Sequence, residues 1–100
     1  VSGLTDGAGA AETVRVHVEV IGRVQGVWFR DSCRERARSE RVGGWVRNRG
    51  DGAVEAEFEG PPAPVERMVA WCRTGPPRAR VDAVDVTRVP TSGDLRFRVL

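Results

Sequence analysis

The run Gly22-Arg23-Val24-Gln25-Gly26-Val27-Trp28-Phe29-Arg30 has the residue types and spacing of an anion site. It follows an alternating apolar stretch, Val14-Arg15-Val16-His17-Val18-Glu19-Val20, that reads as a half-buried strand, and it precedes a segment of helical spacing. In a glycine-containing loop between a strand and a helix, backbone N–H groups converge, and the helix dipole adds partial positive charge. Arg30 stands at the far end of the loop, where its planar, permanently charged fork closes a cradle suited to phosphate oxygens.

The elements that must hold this loop follow from periodicity. The first strand runs from Val14 to about Ile21, with four valines on one face. The segment from Trp28 to about Glu40 places Phe29, Cys33 and Ala37 on a narrow apolar helix stripe. A short strand covers about Gly44 to Asn48, and Arg49-Gly50-Asp51-Gly52 is a turn, because Asp-Gly tolerates positive φ. In the third strand Val54, Ala56 and Phe58 point one way, and Glu55, Glu57 and Glu59 the other. Gly60-Pro61-Pro62-Ala63-Pro64 launches a second helix through Val65, Met68, Val69 and Cys72, and Gly75-Pro76-Pro77 stops it. A fourth strand covers about Arg80 to Val89, and Leu95, Phe97 and Val99 form a last short one.

The order predicts an α+β, ferredoxin-like βαββαβ sandwich: an antiparallel sheet of four to five strands with two helices on one face. The helices cover the face lined by Val14, Val16, Val18, Val20, Val54, Ala56 and Phe58. With strand three between strands one and two, the end of strand one and the end of strand two reach the same sheet edge. The Gly22–Arg30 loop and Asn48 can meet there.

Bulk composition bounds the rest. One hundred residues make one ordinary domain, with no internal repeat. Net charge is only +2, which argues against a basic nucleic-acid surface; all 16 basic residues are arginine, a bias read as genomic and not functional. Cys33 and Cys72 lie in no metal-ligand spacing, and with a single histidine in the chain no metal site and no cofactor are expected. Two reduced thiols in a cytoplasmic protein are the reading; their place on neighbouring helices leaves a disulfide open. No stretch is apolar enough for a membrane span. Residues 1–12 read as a disordered leader and 13–100 as the domain.

Two segments resemble the two signatures of the acylphosphatases: Gly22 to Arg30, and Gly44-Trp45-Val46-Arg47-Asn48-Arg49-Gly50-Asp51-Gly52-Ala53-Val54-Glu55. Gly75-Pro76-Pro77-Arg78-Ala79-Arg80-Val81 resembles the family's link into its fourth strand. The resemblance runs from about Val14 to the C-terminus. It departs at Glu40-Arg41-Val42, where the family has an apolar-Gly-apolar step, which implies a differently capped helix end. Trp28 stands where the family has an aromatic residue, often Phe, which implies a bulkier site rim.

The resemblance implies metal-independent hydrolysis of the carboxyl–phosphate bond of a small-molecule acyl phosphate. Arg30 then holds the phosphoryl group, the backbone of Gln25, Gly26, Val27, Trp28, Phe29 and Arg30 forms the cradle, and Asn48 orients the attacking water. The chemistry is coherent, since an acyl phosphate already carries a weakly basic leaving group, and positioning plus charge stabilisation suffices. A family-like domain also opens larger carbamoyl-phosphate-using maturation proteins, but no zinc-binding segment follows here, which favours a free-standing enzyme, read as a monomer.

Two other readings compete. One is a non-catalytic phosphate- or phospho-metabolite-binding module, against which intact Arg30 and Asn48 argue. The other is an RNA-binding ferredoxin-like module, which needs exposed aromatics on the central strands; these strands offer Arg15, His17 and three glutamates instead. His17 is expected to point outward into water, and Glu55, Glu57 and Glu59 to line a solvated face without metal-binding geometry, paired weakly with Arg15, Arg96 or Arg98. Trp45 and Trp71 read as partly buried packing residues.

Overall fold

The computed structural model describes residues 12–100. The leader read over residues 1–12 lies, apart from Glu12, outside the described residues. The elements are β1 (Val14–Arg23), α1 (Phe29–Glu40), β2 (Gly43–Asn48), β3 (Val54–Gly60), α2 (Pro62–Cys72), β4 (Arg80–Val89) and β5 (Phe97–Val99). They form one five-stranded sheet in the order β4-β1-β3-β2-β5. Every pairing is antiparallel except β2 with β5, which is parallel. The expected sandwich is therefore present, with β3 between β1 and β2. Leu95, expected in the last strand, precedes β5 and is 93% exposed.

Register fixes the two faces of the sheet. Val16 opposes Phe58, Val18 opposes Ala56 and Val20 opposes Val54, and all six lie on the side that carries both helices. Across the next boundary Val46 opposes Ala56 and Asn48 opposes Val54. Asn48 thus emerges on the helix-bearing side, at the end of β2, because side chains alternate with a period of two. The helices close the core with Phe29, Cys33 and Ala37 from α1 and Val65, Met68 and Cys72 from α2, all buried. Both cysteines are free thiols.

The opposite face departs from expectation. It is not a solvated glutamate surface: Arg15, Glu55 and Glu59 are each less than a tenth exposed. The Arg15 guanidinium donates to Glu57 (2.6 Å), to Glu59 (2.8 Å), to Ser92 Oγ (2.9 Å) and to Asp94 (3.0 Å). The Ser92 and Gly93 N–H groups donate to the Glu59 carboxylate at 2.9 and 2.8 Å. The segment between β4 and β5 therefore folds back onto this end of the sheet and covers it. His17, expected in open water, is half-buried, with Nδ1 2.8 Å from Glu57 and Nε2 3.1 Å from Glu55, and its ring meets Trp45 edge-on. Among the described residues, ligand atoms of His17, Glu19 and Glu55 lie within 4.8 Å of one another, so the convergence denied to this face exists. Each carboxylate there already faces an arginine, Arg49 for Glu19 and Arg47 for Glu55. Trp45 and Trp71 are partly buried, as expected.

The end of α1 is capped as its sequence implies. Arg41 takes a left-handed conformation (φ 59°), and the Val42 N–H bonds back to the Ala37 carbonyl at 2.9 Å. That closure ordinarily uses glycine, which lacks the Cβ that makes positive φ costly.

Candidate active site

Between β1 and α1 the chain alternates between core and solvent. Val24, Val27 and Phe29 are buried, while Gly26, Trp28 and Arg30 are exposed. Burying each of these large apolar side chains stabilises the loop by roughly 1.5–3 kcal/mol, so the loop is pinned at three points. Phe29 is further held by Trp71 of α2, with ring centroids 5.0 Å apart. Two left-handed residues, Gly26 (φ 74°) and Trp28 (φ 67°), flank Val27. Turns of this kind gather backbone N–H groups into an anion-binding concavity. At Gly26 a Cβ would meet nothing within 4 Å, so glycine is required there by its backbone angle and not by space. Trp28 adopts the same region without that freedom, immediately before the first residue of α1.

The concavity is a pocket of about 230 Å³ lined by Val24, Gly26, Trp28, Phe29, Arg30, Asp31 and Asn48. Arg30 arrives on the first turn of α1, and Asn48 arrives from the end of β2 on the same side of the sheet. The loop and the second strand thus meet at one sheet edge. Trp28 stands at the mouth, 68% exposed.

Not every residue of the loop turns its side chain into the pocket. Val27 points into the core. Gln25 turns to the β2–β3 turn, where its Nε2 donates to the carbonyls of Arg49 (2.7 Å) and Ala53 (2.9 Å). Val24 and Asp31 line the pocket without having been singled out in the sequence. Val24 stands in the Gly22–Arg30 loop but outside the Gln25–Arg30 cradle, and an acidic residue in a first helical turn is ordinary dipole complementation. Beyond Asn48, the Arg49 guanidinium grips Asp51 at 2.6 Å and also reaches Glu19. Its bond to Asp51 leads in holding the Asp51 carboxyl down at about 2.

Residues 16–99 match the family model of the acylphosphatases. The chain belongs to the acylphosphatase family. Curated acylphosphatases from Rubrobacter xylanophilus and Gloeobacter violaceus are 58% identical over 87 residues and 53% identical over 90. These matches cover 87% and 90% of this chain, and 79% and 97% of the relatives. Among solved structures, the acylphosphatase from Coxiella burnetii superimposes with a TM-score of 0.85 at 35% identity, covering 88% of this chain and 93% of that one. The acylphosphatase from Bacillus subtilis gives 0.84 at 35% identity, covering 87% and 98%. This acylphosphatase therefore carries the family's fold, and its two sequence signatures meet at the pocket that holds Arg30 and Asn48. No helix of its described residues is long and apolar enough to cross a membrane.

Proposed function

We propose that this acylphosphatase hydrolyses a small-molecule acyl phosphate in the pocket between the Gly22–Arg30 loop and β2. The observation that carries the reading is the meeting of Arg30 and Asn48, from two separate elements, on one pocket of about 230 Å³. The phosphoryl group is held by the Arg30 guanidinium and by backbone N–H groups of Gln25 to Arg30, fixed donors aimed at its equatorial oxygens. The Asn48 side chain accepts a hydrogen bond from a water and aims it in line with the leaving group. The water oxygen bonds to phosphorus as the phosphorus–oxygen bond to the acyl group breaks. The carboxylate departs with that electron pair, and the water proton passes to a phosphate oxygen.

No side chain in this scheme is a strong base or a covalent nucleophile. The acyl phosphate supplies its own activated leaving group, so orientation and charge stabilisation carry the rate. A metal is unnecessary because the guanidinium and the backbone donors supply the positive charge. Free, buried Cys33 and Cys72 suit a reducing cytoplasm. Both walls of the pocket come from one chain, which supports the reading as a monomer.

The test is hydrolysis of benzoyl phosphate with EDTA present, by wild type and by Asn48→Ala. Fast turnover by wild type and almost none by the variant is expected. A folded wild type without turnover would leave a phosphate-binding module.

A further inference from the structure

The Gln25 side chain joins the two walls of the pocket. Gln25 is the residue before Gly26, which lines the wall built by the loop. Its amide ends on the carbonyls of Arg49 and Ala53. Arg49 follows Asn48, and Ala53 precedes Val54, the residue paired with Asn48 across β2 and β3. The amide therefore spans both strands of the hairpin one position beyond the water-orienting residue. The same two carbonyls also close the turn: the Arg49 N–H donates to Ala53 at 2.8 Å, and the Gly52 N–H to Arg49 at 3.2 Å.

We propose that Gln25 is a positioning residue for the hydrolysis, setting the attack direction by tying the phosphate loop to the hairpin that carries Asn48. This rests on the reading of Arg30 and Asn48 given above. The chemistry of the position favours a glutamine. Only a primary amide puts two N–H donors on one terminal nitrogen without charge, and each carbonyl, already bonded within the turn, has a second lone pair free to accept one of them. Asparagine carries the same amide one methylene short of the turn. A carboxylate of the same length would face two carbonyl oxygens with no proton to give. The tether matters for one step more than for another. Phosphate binding needs the loop wall alone, whereas in-line attack needs both walls in register. A misplacement of about 1 Å costs on the order of a hundredfold in such a reaction, so a looser hinge is costly to kcat in particular.

The experiment compares Gln25→Ala, Gln25→Glu, Asn48→Ala and the double variant Gln25→Ala/Asn48→Ala in benzoyl phosphate hydrolysis, with inorganic phosphate as the inhibitor. Gln25→Ala is expected to lower kcat by about tenfold while KM and phosphate inhibition stay within about twofold of wild type. In the Asn48→Ala background the same substitution is expected to change kcat no further, because the tether acts through Asn48. Gln25→Glu, which keeps the size and packing of the side chain, is expected to be as slow as Gln25→Ala at neutral pH. It should recover towards wild type as pH falls through the carboxylate range, where the protonated acid donates one hydrogen bond. An unchanged kcat in Gln25→Ala overturns the proposal. So does an equal tenfold loss with Asn48 already absent, or a loss of phosphate inhibition in step with kcat. Full activity of Asn48→Ala instead removes the reading on which the proposal rests, and the two failures are told apart by that single variant.

Discussion

The Arg15 guanidinium meets the Glu59 carboxylate at 2.8 Å between β1 and β3, with both side chains almost completely buried. Burial pushes the Glu59 carboxyl up, but the Ser92 N–H, Arg15 and the Gly93 N–H together pull it below the ordinary glutamate value. Burial likewise opposes ionisation of Glu57, and bonds from Arg15 and His17 outweigh it. A carboxyl lowered in the folded state stabilises the fold above its unfolded pKa, about 4.3 for glutamate, and loses that contribution as pH falls through the folded value.

Glu59→Gln should therefore destabilise the protein at pH 7 by about 2 kcal/mol, the worth of hydrogen bonds to a buried charge. The gap to wild type should shrink as pH drops below about 4. Urea unfolding at neutral and acid pH reads this directly. A gap of constant size would mean that Glu59 is not ionised where it sits.

Substitutions in the pocket should separate binding from turnover. Arg30→Ala is expected to abolish hydrolysis and to weaken phosphate inhibition, because both use the same guanidinium. Asn48→Ala is expected to lower kcat by about a hundredfold while leaving phosphate affinity largely intact. If both variants lose phosphate binding equally, the division of roles fails.

Arg41 offers a gain in stability. Its left-handed backbone at the end of α1 carries the Cβ penalty that glycine avoids. Arg41→Gly should raise stability by about 0.5–1 kcal/mol, less than the full penalty because glycine also frees the unfolded chain. A thermal melt should move up by a few degrees; an unchanged or lower midpoint would place no strain at this cap.

The thiols give a fourth expectation. Burial pushes Cys72 up to about 12, and burial together with the neighbouring Cys72 raises Cys33 well above the ordinary range. Both groups are more readily protonated when folded, so their contribution is complete below the unfolded thiol pKa of about 8.5 and is lost as pH rises beyond it. A disulfide-exchange reagent at pH 8 should label neither cysteine in the native protein and both in denaturant. Rapid native labelling would contradict their burial.

Periodicity carried most of the fold. The valines of β1, the Val54-Ala56-Phe58 set and the apolar stripes of both helices located the core, because alternation and helical spacing are consequences of burial on one side. The convergence of the loop and Asn48 followed from strand order alone. The outer face was illegible for a specific reason. Alternation says which side chains share a face, not whether a distant segment covers it. Arg15 and Glu59 look solvated until Ser92, Gly93 and Asp94 fold back onto them, and the stretch of residues 90–96 carries no periodic signal of that path. The Gln25 side chain is illegible in a similar way: membership of an anion-binding loop assigns its backbone to the cradle and says nothing about where its amide turns.

The pairing of β1 with β4 has a consequence for biosynthesis. Arg15 lies opposite Val89, so β1 finds this sheet neighbour only after the elements between them have emerged. Contacts so far apart in sequence close slowly, because loop entropy is lost before pairing compensates it. On the ribosome β1 waits with one edge unpaired while the intervening elements are synthesised. During translation, then, an open first strand is the part of this enzyme most in need of shelter from other nascent chains.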